Sequence, residues 1–218
     1  MSLRKVKLVE GEYYHIYNRG NSKQIIFHND HDYQYFIKLL YLSNSTNNFK
    51  IQNITGDKLS FDRGQNIISL GAYCLMPNHF HLLITSKIEN GISKFMQKLT
   101  TGYSMYFNKK YKRSGVLFEG KFKSQHAGDD IYLKYLFSYI HLNPIKLIQS
   151  DWKEVGITNK LQALNFLENY RYSSYLNYID INRIENVLIQ KKDFPNYFFQ
   201  KDQIRKDIFE WLSYRQDL

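Results

Sequence analysis

The apolar positions of the chain change period several times, and each change predicts an element. YYHIYNRG (13–20) is β-branched and aromatic and stops at a glycine, which predicts a first strand. In FHNDHDYQYFIKLLYLSNST, Tyr33, Phe36, Ile37 and Leu40 recur at helical spacing behind Asn29 or Asp30, predicting a helix to about Asn44. Residues 45–66 are polar, with Gly56 and Gly64, and predict a loop or short hairpin outside the core. NIISLGAYCLMPNHFHLLITS (66–86) holds two β-rich runs around Met-Pro-Asn. Proline presets φ and asparagine tolerates the left-handed region, so the expectation is a hairpin: strand about 67–75, turn 76–78, strand 79–85.

Residues 91–111 carry Ile92, Phe95, Met96, Leu99, Tyr103 and Tyr106 on one stripe, a second amphipathic helix. KRSGVLFEGKFKSQ follows as a glycine-punctuated basic loop with room for short strands. DDIYLKYLFSYIHLNP (129–144) predicts a third helix, capped by Asp129 or Asp130 and stopped by Pro144. Beyond NYRYSSYLNY, residues 181–218 are rich in lysine and aromatics and predict a small helical appendage. There is no internal repeat. This order of elements predicts an α+β domain, an antiparallel sheet with helices packed on one face.

Composition narrows the function classes. With 43% hydrophobic residues in 218, the chain is globular and can bury a sizeable core. The apolar runs are too short to span a membrane, and the basic N-terminus lacks a signal-like apolar stretch, so a cytoplasmic location is expected. One cysteine, Cys74, excludes an intrachain disulfide and a cysteine-built zinc site. The charge of +10 favours a polyanionic partner, although A/T-rich coding alone could produce much of this Lys, Asn, Ile and Tyr content.

Two of the seven histidines stand one residue apart, in MPNHFHLLI (76–84). On a strand His79 and His81 share a face while Phe80 points to the other side. Same-face neighbours lie roughly 6–7 Å apart, so both imidazoles can reach one ion. H-x-H also occurs in unrelated hydrolases, and two histidines leave a metal short of ligands. The third helix offers Asn143, one turn after Tyr139. An amide oxygen suits Mg²⁺ or Mn²⁺. A tyrosine beside such an ion suits phosphodiester chemistry, since a phenol titrating near 10 needs activation to attack phosphorus. With 19 tyrosines in the chain, Tyr132 and Tyr135 near the same stripe remain alternatives. Asn143 before Pro144 also reads as a plain helix end. His141, on another helical face, reads as a surface histidine, and His15 is a neighbour of the site if the first strand is central.

AYCLMPNHFHLLI resembles the metal-binding segment of the single-tyrosine HUH transposases. SGVLFEGKFKS followed by YLFSYIHLNPIK, with YYHIYNRG before and YRYSSY after, resembles their REP-associated branch, within the group named after insertion sequence 200. The likeness runs from about Tyr13 to Tyr175. It implies a ferredoxin-like fold, residues 1–180 as the transposase domain, a divalent metal, and a tyrosine that nicks single-stranded DNA near a hairpin through a 5′-phosphotyrosine link. His79 and His81 match the metal histidines and Tyr139 the nucleophile. Asn143 stands where the wider group often has glutamine, an amide on a longer arm.

Lys109, Lys110, Lys112, Arg113, Lys121 and Lys123 cluster ahead of the third helix, interleaved with Tyr106, Phe107, Tyr111, Phe118 and Phe122. Basic groups that track phosphates and rings that stack on bases make this the expected DNA surface, with Arg19, Lys23, Arg4, Lys5 and Lys7 as extensions. A solvated helix end is the plainer reading of such a charge run. Beside the transposase stand a water-using metal nuclease, a DNA-binding protein that has lost catalysis, and a small-molecule hydrolase. The choice between monomer and homodimer stays open.

Overall fold

The computed structural model describes residues 8–196, 204–208 and 210. Its framework is β1 (Tyr13–Arg19), α1 (Asp30–Ser43), β2 (Ile68–Met76), β3 (His79–Ser86), α2 (Gly91–Lys110) and β4 (Lys123–His126). The sheet order is β2-β3-β1-β4 with every neighbouring pair antiparallel, the ferredoxin-like βαββαβ arrangement. This is the α+β, ferredoxin-like class that the pattern and the resemblance led us to expect.

Alternation along β3 sets the two layers. Phe80, Leu82 and Ile84 enter a core with Tyr14 and Ile16 of β1, Phe36, Ile37 and Leu40 of α1, and Phe95, Leu99 and Tyr103 of α2. The rings of Phe36 and Phe80 lie 5.1 Å apart at their centres. Helices on one face describes α1 and α2. The structure adds α3 (Asp130–Leu142) on the other face. There Leu133, Leu136, Phe137 and Ile140 cover Ala72, Cys74, Met76 and Leu83, apolar positions that a one-sided fold would leave in water. The helices α4 (Trp152–Val155), α5 (Lys160–Asn169) and α6 (Tyr175–Tyr178) extend this second layer.

The hairpin turn is Pro77-Asn78, with Met76 opposite His79. It does not use the left-handed tolerance of asparagine, because Asn78 has no positive φ. Its carbonyls are held instead: Pro77 accepts from the N–H groups of Ile26 and Phe27, and Asn78 from Gly20. Asp129 caps α3 by accepting from Tyr132 N at 2.7 Å.

One expectation is corrected. Residues 45–66 do contribute to the core: Ile54 and Leu59 are buried, and the Arg63 guanidinium lies over the Tyr41 ring at 3.7 Å. The α-helix ends at Leu142, just ahead of Pro144, as expected. The chain passes from α3 into a 3-10 turn at Asn143–Leu147, where proline sits in the first turn and its missing N–H costs nothing.

Of the segment from 181 onward, the described part runs along β2. Gln190 N donates to Leu70 O and its Oε1 accepts from Leu70 N, while Leu188 and Phe194 are buried. Residues 197–203, 209 and 211–218, and the basic residues Arg4, Lys5 and Lys7, lie outside the described residues. Among the described residues, no helix is long and apolar enough to cross a membrane.

Candidate active site

β1 lies at the centre of the sheet beside β3, and the register puts Tyr17 opposite His81 and Arg19 opposite His79. His15, His79 and His81 therefore share the face covered by α3. His15 Nε2 and His81 Nδ1 are 2.8 Å apart, and both rings are buried. His79 Nδ1 is 2.6 Å from Asn78 Oδ1. An amide oxygen only accepts, so His79 carries its proton on Nδ1 and keeps its lone pair on Nε2. For His81 the same result follows when its Nδ1–H donates to His15. Its Nε2 is buried and has no hydrogen-bond partner.

Asn143 is wholly buried at the end of α3. Its Nδ2 donates to Tyr139 O at 2.9 Å, which fixes the amide and leaves Oδ1 for another use. That oxygen is buried and lacks a hydrogen bond. It faces His79 closely enough to raise that ring's proton affinity, yet outside hydrogen-bond geometry. An unmet lone pair on His81 and another on Asn143, beside His79, form a donor set of two imidazoles and an amide oxygen. No cluster of three or more His, Cys, Asp or Glu able to hold a metal occurs among the described residues. The residues present fit a divalent ion whose remaining ligands are substrate or water.

The electrostatics favour neutral imidazoles. Burial pushes His15 down to about 4, with help from the Lys153 charge. Burial and then Lys146 push His79 to about 4, Asn143 opposing and Arg19 adding to the fall. His81 falls well below the usual range through burial, its two histidine neighbours, Lys146 and Lys153. Only neutral imidazole binds a metal.

Tyr139 is half-buried, and its ring meets His81 and His15 edge-on, at 5.6 Å and 6.0 Å between centres. Lys153 Nζ lies over the same ring at 3.9 Å. Tyr135 is stacked parallel to Tyr139 at 5.9 Å, and Tyr132 lies one step further along. Of the three tyrosines on α3, Tyr139 is the one beside the histidines. Sequence reasoning missed Tyr17, whose ring stacks on His15 at 4.9 Å and lies 5.9 Å from His81. Alternation from His15 along β1 is the signal that could have found it.

His141 is not a surface histidine. It is fully buried on the far side of α3, 2.7 Å from Ser174 Oγ, and burial lowers it to about 3. The basic cluster is divided by the fold. Lys109, Lys110, Lys112 and Arg113 lie at or just beyond the end of α2, in the layer on the Phe80 side of the sheet. Lys110 is held by Asp32 at 2.6 Å and by Tyr106 Oη, and Arg113 sits over Phe107. Arg19 makes a two-pronged ion pair with Glu119. Lys121 and Lys123 are exposed, and Lys123 pairs with Tyr17, on the histidine face. The interleaved rings are mostly engaged: Phe107 and Phe118 are buried, and Tyr106 and Tyr111 hydrogen-bond Asp32.

Residues 63–143 match the family model described as "Transposase IS200 like". The matched segment begins just before β2 and ends on Asn143, so it takes in His79, His81 and Tyr139. No curated protein matches the chain. Among solved structures the chain is similar to one described as "Structure of the REP associates tyrosine transposase bound to a REP hairpin", with TM-score 0.50 and 11% identity, over 85% of this chain and 90% of that one. At that identity the likeness establishes the fold. The likeness to the IS200-like transposases, read first from motifs, is thus shown in sequence across residues 63–143 and accompanied by the fold of a tyrosine transposase.

Proposed function

We propose that this chain is a metal-dependent transposase that nicks and rejoins single-stranded DNA, next to a hairpin, through a 5′-phosphotyrosine link to Tyr139. The observation that carries the reading is the juxtaposition at the centre of the sheet. The Tyr139 ring meets the His15–His81 pair edge-on, and two buried donors, His81 Nε2 and Asn143 Oδ1, have no protein partner. The hairpin substrate is suggested by the similar solved structure, which is described as bound to a REP hairpin.

His79, His81 and Asn143 would hold Mg²⁺ or Mn²⁺, which supplies Lewis-acid polarisation of the scissile phosphate. Tyr139 is placed to attack. Its Oη loses a proton to solvent and bonds to phosphorus, the bond from phosphorus to the 3′-oxygen breaks, and that oxygen leaves as a 3′-hydroxyl after taking up a proton. The 5′-phosphate stays on Tyr139. Attack by another 3′-hydroxyl reverses the step and rejoins the strands. His15 holds the His81 ring, and Asn143, anchored to Tyr139 O, ties the ligand to the backbone of the nucleophile. Exposed Lys121 and Lys123 would follow the phosphates leading to the site.

Covalent trapping tests this. Labelled single-stranded oligonucleotides from the DNA flanking the gene are incubated with Mg²⁺ or Mn²⁺ and run on denaturing gels. Wild type is compared with Tyr139→Phe, Tyr135→Phe, Tyr17→Phe and His81→Ala. The expected result is a metal-dependent adduct, lost in Tyr139→Phe and His81→Ala alone. Loss in Tyr135→Phe or Tyr17→Phe instead would move the nucleophile. Cleavage without an adduct would make the protein a water-using nuclease, and binding without cleavage a DNA-binding protein.

A further inference from the structure

The second cation of the site comes from an element that none of the sequence motifs covers. Lys153 sits in the four-residue helix α4, half-buried, with its Nζ 3.9 Å from the centre of the Tyr139 ring. Among the described residues it makes no ion pair, and burial lowers its proton affinity, opposed by its neighbour Glu154. A half-buried ammonium without an ion pair is costly unless an anion arrives. Its backbone is firmly held. Trp152 is buried beside it, and Gln149 closes the loop by donating to Gly156 O at 2.7 Å and accepting from Thr158 N at 3.0 Å.

The carboxylate whose charge bears on Lys153 is that of Glu154, its neighbour in sequence, and the two form no ion pair among the described residues. The charges that bear on His15, His79 and His81 are those of Lys153, Lys146 and Arg19, all positive. Arg19 is committed to Glu119. His15 and His81 approach the Tyr139 ring at its edge, while Lys153 covers its face, so the cation and the ligand edge flank one phenol.

We propose that Lys153 is a catalytic residue that binds a non-bridging oxygen of the scissile phosphodiester as that phosphate is transferred to Tyr139. The proposal rests on the reading of Tyr139 as nucleophile. Lysine suits the task because its ammonium is a compact charge on a flexible stem, able to follow the phosphorus as it moves onto the phenol. A cation that strengthens its contact as charge spreads over the phosphoryl oxygens accelerates the step rather than ground-state binding.

The test is single-turnover adduct formation at saturating oligonucleotide, for wild type, Lys153→Gln, Lys153→Met, Lys153→Arg and the control Lys94→Gln, an exposed lysine of α2. Oligonucleotide affinity is measured separately in a Tyr139→Phe background, and melting temperature for every variant. The expected result is a rate lower by about 10²-fold in Lys153→Gln and Lys153→Met, recovery to within about tenfold in Lys153→Arg, and affinity changed by no more than one phosphate contact supplies. Melting temperatures stay together, and Lys94→Gln reacts at the wild-type rate. A wild-type rate in Lys153→Gln overturns the proposal and leaves Tyr139 as nucleophile. So does a loss that follows a fall in melting temperature and is not recovered by arginine, because the ammonium is then only packing on the ring. No adduct from wild type at any metal concentration overturns the reading of Tyr139 itself, and this inference with it.

Discussion

His15 Nε2 stands 2.8 Å from His81 Nδ1, across the neighbouring strands β1 and β3, and the two rings are buried together under α3. Two neutral imidazoles at that distance share one proton, and the choice of donor decides the chemistry of His81. With the proton on His81 Nδ1, the buried and unpartnered Nε2 keeps a lone pair with which it could bind the proposed metal. With the proton on His15 Nε2, it does not. Under the proposed function, His15 would act on the metal through the His81 ring and not as a ligand itself.

Replacing His15 follows directly. In His15→Ala, His81 loses the acceptor that fixes its tautomer and orientation. The metal concentration needed for half-maximal adduct formation is expected to rise about 10–100-fold, with activity regained at high Mn²⁺. In His81→Ala, added metal is expected to restore nothing. A metal titration of the two variants side by side checks this. Identical curves for His15→Ala and wild type would show that the His81 ring is held by the sheet alone.

Asn143 yields a second expectation. Its Oδ1 is unpartnered while its Nδ2 donates to Tyr139 O. Under the proposed function, Asn143→Ala removes a metal ligand and a tie on the backbone of the nucleophile, and should lower adduct formation by at least tenfold. Asn143→Asp keeps an oxygen but loses the donor, so it should retain metal-dependent activity while melting lower by about 1 kcal/mol of stability. Calorimetry and the trapping assay together separate the two contributions.

The basic residues divide by partner. Lys121→Gln and Lys123→Gln remove exposed charges near the histidine face and should each reduce the salt slope of single-strand binding by about 0.7. Lys110 is already bound to Asp32, so Lys110→Gln should lower thermal stability and leave the slope nearly unchanged. Binding isotherms at several salt concentrations decide it.

These contrasts mark how far the sequence could be read. Period alone located β3 and put His79 and His81 on one face, and helical spacing brought Tyr139 and Asn143 together. Which strand lay beside β3 was not local information, so His15 entered only as a conditional neighbour and Tyr17 not at all. His141 was misread because the far side of α3 becomes interior only when α6 and Ser174 pack there. Lys110 and Arg19 read as free cations, since Asp32 and Glu119 are 78 and 100 residues away from them in sequence. Lys153 carried no motif, and its place over Tyr139 follows from tertiary packing.

Gly71 marks a register shift in β2, between Leu70 and Ala72. A Cβ there would come within 2.6 Å of the Phe194 ring. Gly71→Ala is therefore expected to cost about 1–3 kcal/mol through overpacking. Phe194→Ala opens the space at its own cost, and in the double variant the two losses should sum to less than their separate values. Additive losses in denaturant titrations would mean that the strain at Gly71 is in the backbone, not against Phe194.

Asp32 couples the α1–α2 layer to pH. Its side chain is fully buried and bound by Lys110, Tyr111, Tyr106 and the His28 N–H. Burial alone would raise its pKa, but these hydrogen bonds outweigh it and hold the carboxyl below its ordinary 3.8. A carboxyl with a depressed folded value contributes stability that is fully present above its unfolded pKa and is lost as pH falls through the folded one. The wild type should therefore lose this contribution only below about pH 4. Asp32→Asn should be less stable at pH 7 by about 2–4 kcal/mol, reduced from a fully buried pair because Lys110 is 30% exposed. The difference should shrink as pH falls below 4. Denaturant unfolding of both proteins between pH 3 and 7 measures it. A gap that stays constant through that range would mean that the Asp32 carboxyl is not held in its charged form by these partners.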